Sequence, residues 1–200
     1  SVAHREVSGA TAVAASDKIS VAEPGSVSGP LKKEFAAMLT LSVTTYGPSS
    51  SERVDRCLSA AQEVFSKQPG HPYATDAASN CYYFASELAR QHGKDPIPLL
   101  SNSLQLLEPV IQKYPHFLWG INDLGIALLA MGSQRQRYGA QNATESLNKA
   151  LLFISESASL DHSYINAPLN AMLVSVSLIA DCHSEEEMAD ILSKSDQYFE

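Results

Sequence analysis

The side chains that could bind a metal or act as nucleophiles are scattered along this 200-residue sequence. Its six histidines lie singly, mostly at predicted helix ends and loops, without an H-E-x-x-H motif or another paired spacing. No G-x-S-x-G motif marks a nucleophilic serine, and the serines of GPSSSE have no motif histidine nearby. We therefore predict a protein that is not an enzyme, with no catalytic residue, no metal site and no cofactor.

The pair Cys182-His183 places two soft metal ligands next to each other at the end of a predicted helix. A metal site would need at least two more ligands, and the sequence does not identify them. Ser184 and three glutamates follow the pair, as is typical of a helix N-cap with carboxylates near the positive end of the helix dipole. The segment therefore predicts the start of a helix.

The three cysteines, Cys57, Cys81 and Cys182, are an odd number, widely spaced and without a C-x-x-C pair. This pattern is typical of neither a disulfide framework nor a zinc ribbon, so we expect a reducing compartment and a cytoplasmic location. Cys57 and Cys81 lie on predicted packing faces, where a thiol behaves as a small apolar side chain. Since the chain begins at Ser1, we expect either a processed form or a fragment of something longer.

The chain is acidic, with 14 Lys and Arg against 22 Asp and Glu and a net charge of -8. A nucleic-acid surface needs a dense basic stripe, so this balance predicts no nucleic-acid partner. The longest apolar run, AMLVSVSLIA, is shorter than the roughly 18 residues that a membrane-spanning helix needs. We therefore expect a soluble chain with no membrane span.

The elements that position these side chains are predicted to be helices. Residues 1–30 are rich in Ser, Ala and Gly and predict a linker or N-terminal arm. In residues 31–200 apolar residues recur every three or four positions, and no period-2 run indicates a strand. The predicted helices of this domain are 31–46, 52–67, 74–91, 97–113, 118–132, 143–159, 164–181 and 185–199.

The apolar stripes of alternate helices repeat along the chain. A shift of 46 residues superimposes the stripe that begins at Val54 on the one that begins at Leu100, and a further shift of 47 reaches Leu147. The first shift also superimposes Pro69 on Pro115. Recurrence of one buried face at fixed spacing favours an internal repeat over a plain helical bundle.

The stretch LWGINDLGIALLAMG shows which repeat this pattern resembles. Ile121, Leu124-Gly125 and Leu128 match the W-x2-L-G-x2-Y pattern of the tetratricopeptide repeat, and the closing Pro of that pattern matches Pro69 and Pro115. The resemblance implies an all-α, right-handed α-solenoid of about four antiparallel helix hairpins. In such a unit Gly125 would permit close approach between helices, which offsets the roughly 1 kcal/mol that Gly costs in a helix.

The period of 46 or 47 exceeds the 34 residues of the tetratricopeptide repeat. We therefore predict long insertions between the two helices of a unit, around QHGKDPIPLL and RQRYGAQNATESL. The Gly-x-Asp-Pro segment also resembles the repeats that follow the kinase domain in some bacterial serine/threonine kinases. The kinase motifs themselves do not occur in this chain.

The resemblance implies a concave groove that binds a partner segment. In this family the groove is lined by the residues two positions before, one position after and five positions after the first motif residue of each unit. In this chain these residues are Ser79, Tyr82, Ser86, Trp119, Asn122, Ile126, Asn166, Leu169 and Leu173. Trp119 is either an exposed anchor for a partner or a core residue, and both alternatives stay open.

We predict a non-enzymatic interaction or scaffold module that binds a protein or peptide partner in this groove. The predicted groove helices carry almost no basic residue apart from Arg90, so the groove suits an uncharged or basic segment, or self-association around Trp119 as a homo-oligomer. The first alternative is a regulatory segment of a larger enzyme such as a bacterial serine/threonine kinase. The second is a helical protein that binds a ligand or a metal.

Overall fold

The computed structural model describes residues 30, 33, 34, 37, 38, 50–140, 142–180, 182 and 184–196, and within them every regular element is a helix. The chain divides into two compact units, Ser1–Val110 and Ile111–Glu200. The all-α prediction is confirmed. The helices are α1 (Ser50–Lys67), α2 (Pro72–Gln91), α3 (Ile97–Lys113), α4 (Leu118–Arg137), α5 (Ala143–Leu160), α6 (Asn166–Ile179) and α7 (Glu185–Asp196).

Local side-chain and backbone chemistry sets several of these helix ends. Gly93 follows the end of α2 with a φ of +69°, and Gly139 follows α4 with a φ of +67°, a conformation that favours glycine. The Asp95 carboxylate then accepts a hydrogen bond from the Ile97 N–H at the start of α3. The HGKDP segment is therefore a helix stop followed directly by a helix start.

The prediction of long insertions between paired helices is wrong. Only residues 92–96 separate α2 from α3, and only 138–142 separate α4 from α5. The extra length of the repeat lies in the helices themselves, because α2 and α4 each contain 20 residues. The segment Gln134–Arg137 consists of good helix formers, and it continues α4 beyond its predicted end at residue 132.

The first unit contains a covalent link that the cysteine pattern did not predict. Cys57 of α1 and Cys81 of α2 form a disulfide with their Cα atoms 5.9 Å apart, and both side chains are fully buried. Leu88 completes the buried cluster, with Val54 and Phe84 among the side chains packed against it. The expectation of two free thiols is corrected, because the α1–α2 hairpin brings together residues 24 positions apart.

We expect this disulfide to stabilise the first unit. Closing a loop of this length removes about 3 kcal/mol of chain entropy from the unfolded state, so the double variant Cys57→Ala/Cys81→Ala should lose free energy of unfolding of that order. Urea denaturation followed by circular dichroism measures the loss. Cys182→Ala is the matched control, since Cys182 does not take part in this disulfide, and an equal loss in the control would contradict the assignment.

The residues described before α1 are helical and belong to the same unit. Ala37 and Met38 pack against the disulfide cluster, and Lys33 forms an ion pair with Glu63 of α1 at 3.3 Å. Glu34 is fully buried, and burial raises the pKa of its carboxyl to about 8. The carboxyl is therefore mostly neutral at pH 7. The other residues of the predicted helix 31–46, and residues 1–29 of the predicted arm, lie outside the described part of the chain.

In the second unit α4 packs against both α5 and α6, and α6 packs against α5 and α7. A Cβ on Gly125 would collide with the Ile154 side chain of α5 and lie 3.2 Å from the Ala150 carbonyl oxygen. A Cβ on Gly132 would lie 2.7 Å from the Leu147 side chain. The predicted role of Gly125 is confirmed. Gly125 and Gly132 lie about two turns apart on the same side of α4, and both allow α4 to approach α5 closely.

We expect Gly125→Ala to destabilise the second unit. The clash costs about 1–3 kcal/mol in an overpacked core, which exceeds the roughly 1 kcal/mol that Ala gains over Gly in a helix. Ile154→Ala removes the colliding atoms, so the double variant should lose less free energy of unfolding than the sum of the two single variants. Chemical denaturation of all four proteins tests this, and simple additivity would show that the two residues do not contact each other.

Candidate protein-interaction surface

Two of the predicted groove residues on α2 are buried. The Ser79 hydroxyl lies 2.6 Å from the Ser103 hydroxyl and donates to the Ser103 carbonyl oxygen of α3 at 3.2 Å. The Ser86 hydroxyl donates to the Tyr83 carbonyl oxygen. Their prediction as partner-contacting residues is corrected: Ser79 joins α2 to α3, and Ser86 bonds to its own helix. Tyr82 is half-buried.

Asn122 of α4 is also buried, with an exposed fraction of 1%. Its side-chain oxygen accepts a hydrogen bond of 3.0 Å from the Asn170 amide of α6, and its own amide donates to Asp123. The prediction that Asn122 lines a groove is therefore corrected. This asparagine fixes the register between two neighbouring helices, because a buried amide needs hydrogen-bond partners.

We expect Asn122→Ala to lower the free energy of unfolding by about 0.5–1.5 kcal/mol, the net contribution of one hydrogen bond, because it removes the acceptor of the partly buried Asn170 amide. Asn166→Ala is the control, since Asn166 is exposed on α6 and surface changes usually stay within about 0.5 kcal/mol. Thermal and urea unfolding measure both. An Asn122→Ala protein as stable as the wild type would show that this bond does not support the α4–α6 packing.

The other predicted groove residues of the second unit reach the surface. Trp119 is 49% exposed, Leu169 is 50% exposed and Leu173 is 53% exposed. Asn166 is exposed, and Ile126 is half-buried. Of the two alternatives for Trp119, the structure therefore supports a surface residue, and its role in binding stays a prediction.

Among the described residues of this unit, a row of exposed apolar side chains follows one side of α6. Five large apolar side chains, each 45–72% exposed, form what we call the α6 face: Ile165, Leu169, Met172, Leu173 and Val176. The sequence analysis found Leu169 and Leu173 and missed the other three. The sequence could have identified these three residues, because a helix with apolar residues on both of its sides has a second packing surface besides the one it buries.

The opposite side of α6 belongs to the core of the unit. Ala167, Ala171 and Val174 are fully buried, and Leu178 is almost fully buried. Within the described residues, α4, α5 and α7 pack against one apolar side of α6 and leave the α6 face exposed. Contiguous exposed apolar surface of this kind marks interaction sites in soluble proteins.

The region around Cys182 behaves as a helix junction. The Ser184 hydroxyl accepts a hydrogen bond of 3.2 Å from the Glu187 N–H, which confirms the predicted N-cap of α7. The Cys182 thiol donates to the Leu178 carbonyl oxygen, while His183 lies outside the described residues. Within the described ranges, no cluster of three or more His, Cys, Asp or Glu side chains could hold a metal ion.

A small concavity lies between α5, α6 and α7. Its volume is about 330 Å³, at the lower limit of ordinary ligand pockets. It contains the ion pair between Lys194 and Asp190, whose charged atoms are 2.6 Å apart. Its lining residues are Thr144, Asn148, Leu151, Leu178, Glu187, Asp190, Ile191 and Lys194.

In the described part of the chain, no helix combines the length and the apolar character that crossing a membrane requires. The packing of α4 against two successive helices, together with the α1–α2 hairpin, places the protein in the all-α helical-repeat class. No protein-family model matches the sequence, and no curated protein matches it.

Solved structures of IFIT1 are similar to this chain at low sequence identity and with TM-scores below 0.5. A monomeric IFIT1 mutant with Gppp-AAAA is 12% identical, with a TM-score of 0.45 over 96% of this chain. The human IFIT1 dimer with PPP-AAAA is 12% identical (TM-score 0.41, 94% of this chain), and that with m7Gppp-AAAA is 14% identical (TM-score 0.41, 92%). The present chain spans less than half of each IFIT1 chain, 45%, 46% and 45% respectively.

The prediction that excluded nucleic acid as a partner is corrected. The similar IFIT1 structures contain the nucleic-acid ligands Gppp-AAAA, PPP-AAAA and m7Gppp-AAAA. The exclusion rested on the net charge of -8, which sums over the whole chain. A net charge does not describe the local field at one surface, so it does not support such an exclusion.

Proposed function

We propose that this protein is a non-enzymatic interaction module that binds an apolar helix of a protein partner on the α6 face. The observation that carries this proposal is the exposure of five large apolar side chains, four on α6 and one at its N-cap Ile165, each 45–72% exposed. Pairing them with a partner removes apolar surface from water, which is the main driving force of protein association. The proposed site therefore differs from the predicted groove. It keeps Leu169 and Leu173 and otherwise consists of residues of the α6 face.

The geometry of α6 suits a helical partner. Leu169, Met172, Leu173 and Val176 lie three and four positions apart, so they form one continuous stripe along the helix axis. Another helix with the same spacing can pack its side chains between them, as in helix-in-groove recognition. A full burial contributes about 1.5–3 kcal/mol for each large apolar side chain, so a few anchors account for most of the affinity.

The electrostatics favour an apolar partner over a charged one. The α6 sequence NAPLNAMLVSVSLI contains no Asp, Glu, Lys or Arg. A charged peptide would therefore lose hydration on this surface without gaining an opposite charge from α6. The sequence predicted an uncharged or a basic partner segment, and the absence of charged residues from α6 favours an uncharged, apolar segment over a basic one.

We expect Leu173→Glu to abolish capture of the partner by the tagged 200-residue chain, because it places a carboxylate within the apolar stripe. The experiment compares wild type, Leu173→Glu and Leu152→Glu by affinity capture from native lysate and quantitative mass spectrometry. Leu152 of α5 is a matched control, since it is an exposed leucine at 64% and lies outside the α6 face. Circular dichroism confirms that all three proteins are folded.

The supporting result is a protein that wild type and Leu152→Glu capture equally and that Leu173→Glu captures in an amount lower by about tenfold or more. A tenfold loss of affinity corresponds to about 1.4 kcal/mol of binding free energy. Identical capture by all three proteins would show that the α6 face does not bind a partner. The proposal would then be rejected even though the fold is unchanged.

A further inference from the structure

An N-x-T motif lies at the start of α5 and contains no residue of the α6 face. It consists of Asn142, Ala143 and Thr144, and no other asparagine of the 200-residue sequence has Ser or Thr two positions after it. This is the acceptor motif for N-linked glycans, which are attached to the surface loops of secreted proteins. The motif indicates modification where the asparagine is accessible and where the chain folds in the compartment of secreted proteins.

The structure places Asn142 at the surface, in the segment 138–142 between α4 and α5. A glycan is bulky and polar, so the folded protein can carry it only where it displaces no packed side chain. Asn142 is exposed and meets this condition. Thr144, whose hydroxyl completes the motif, is also exposed in the first turn of α5.

The Asn142 side chain does not cap the helix that it precedes. An N-cap asparagine normally accepts a hydrogen bond from a backbone N–H of the first turn, but within the described residues Asn142 forms no such side-chain bond. Ser146 and Arg135 hold the turn instead. The Ser146 hydroxyl donates to the Asn142 carbonyl oxygen at 3.2 Å, and the Arg135 guanidinium donates to the Ser146 hydroxyl at 2.6 Å. A group attached to the Asn142 side-chain amide therefore breaks no helix cap.

The buried disulfide indicates the compartment in which the chain folds. Cys57 and Cys81 are joined in the first unit, whereas Asn142 belongs to the second, so the two observations are independent. Disulfides form and persist in oxidising compartments such as the lumen of the endoplasmic reticulum, and they are rare in the cytosol. Secreted chains pass through this lumen, and they are the chains that carry N-linked glycans.

From these observations we infer that Asn142 is an N-glycosylation site, and that the chain folds in an oxidising secretory compartment instead of the expected cytoplasm. The co-reactant is an oligosaccharide linked to a lipid through pyrophosphate. The Asn142 Nδ2 attacks the first sugar carbon, and a C–N bond forms as the C–O bond to pyrophosphate breaks. The lipid pyrophosphate leaves and Nδ2 loses one proton, so nothing is oxidised or reduced.

Mass spectrometry of the full chain isolated from its native cells tests this inference. Peptide N-glycosidase in heavy-oxygen water removes an N-linked glycan and converts its asparagine to an aspartate that carries the heavy oxygen. We expect this label at position 142, together with a single downward step in apparent mass on a denaturing gel. A native chain in which residue 142 is an unmodified asparagine before the enzyme is added overturns the inference.

Variants of the full chain directed into a eukaryotic secretory pathway show which side chains the transfer needs. Asn142→Gln and Thr144→Ala should each lose the glycan completely, whereas Thr144→Ser should retain it because the hydroxyl remains. Asn148→Gln is the matched control, since Asn148 is an exposed asparagine of α5 outside the motif. A glycan that persists in Asn142→Gln overturns the inference. The mass of the chain is the readout, so a variant that folds poorly still gives a result.

Alkylation of the denatured native chain without a reductant tests the compartment. We expect Cys57 and Cys81 to resist the alkylating reagent until a reductant is added, because they are joined in a disulfide. Immediate labelling of both cysteines would show that the native chain is reduced and would overturn the inference. None of these experiments changes the α6 face, so their failure leaves the proposed function standing.

Discussion

The close approach of α4 to α5 is the constraint on which the second unit depends. Two glycines on α4 meet the side chains of Ile154 and Leu147, and a methyl group at either position would require these side chains to move. Because α4 also packs against α6, the position of α4 on α5 helps to set where α6 lies. The orientation of the exposed side of α6 thus depends on two residues that have no side chain.

Hydrogen bonds between side chains fix the register of the helices in this apolar packing. A contact between apolar stripes tolerates sliding along the helix axis, whereas a hydrogen bond between two side chains forms at one register only. The bond from Asn170 to Asn122 does this for α4 and α6, and the pair Ser79 and Ser103 does it for α2 and α3. These residues are polar because they specify the packing, and their burial removes them from contact with a partner.

Helix α6 is apolar on both sides, and only one of these sides is buried. Ala167, Ala171 and Val174 are buried, while Leu169 and Val176 on the other side remain in water. An exposed apolar stripe favours association and carries a risk of aggregation, so its presence is easiest to explain by a partner that covers it. The α6 sequence contains no charged residue, in contrast to the net charge of -8 of the whole chain.

The sequence by itself determined the features that depend on neighbours a few residues away. Helical periodicity, the N-cap at Ser184 and the end of the second hairpin helix at residue 91 were readable because they follow from backbone geometry within one or two turns. Gly125 was readable because its motif repeats a known packing unit. The tertiary structure alone decided the pairing of Cys57 with Cys81, the burial of Asn122 and the exposure of α6. An apolar or polar stripe shows which side of a helix prefers contact, and only the arrangement of the other helices determines whether that contact is made within the chain.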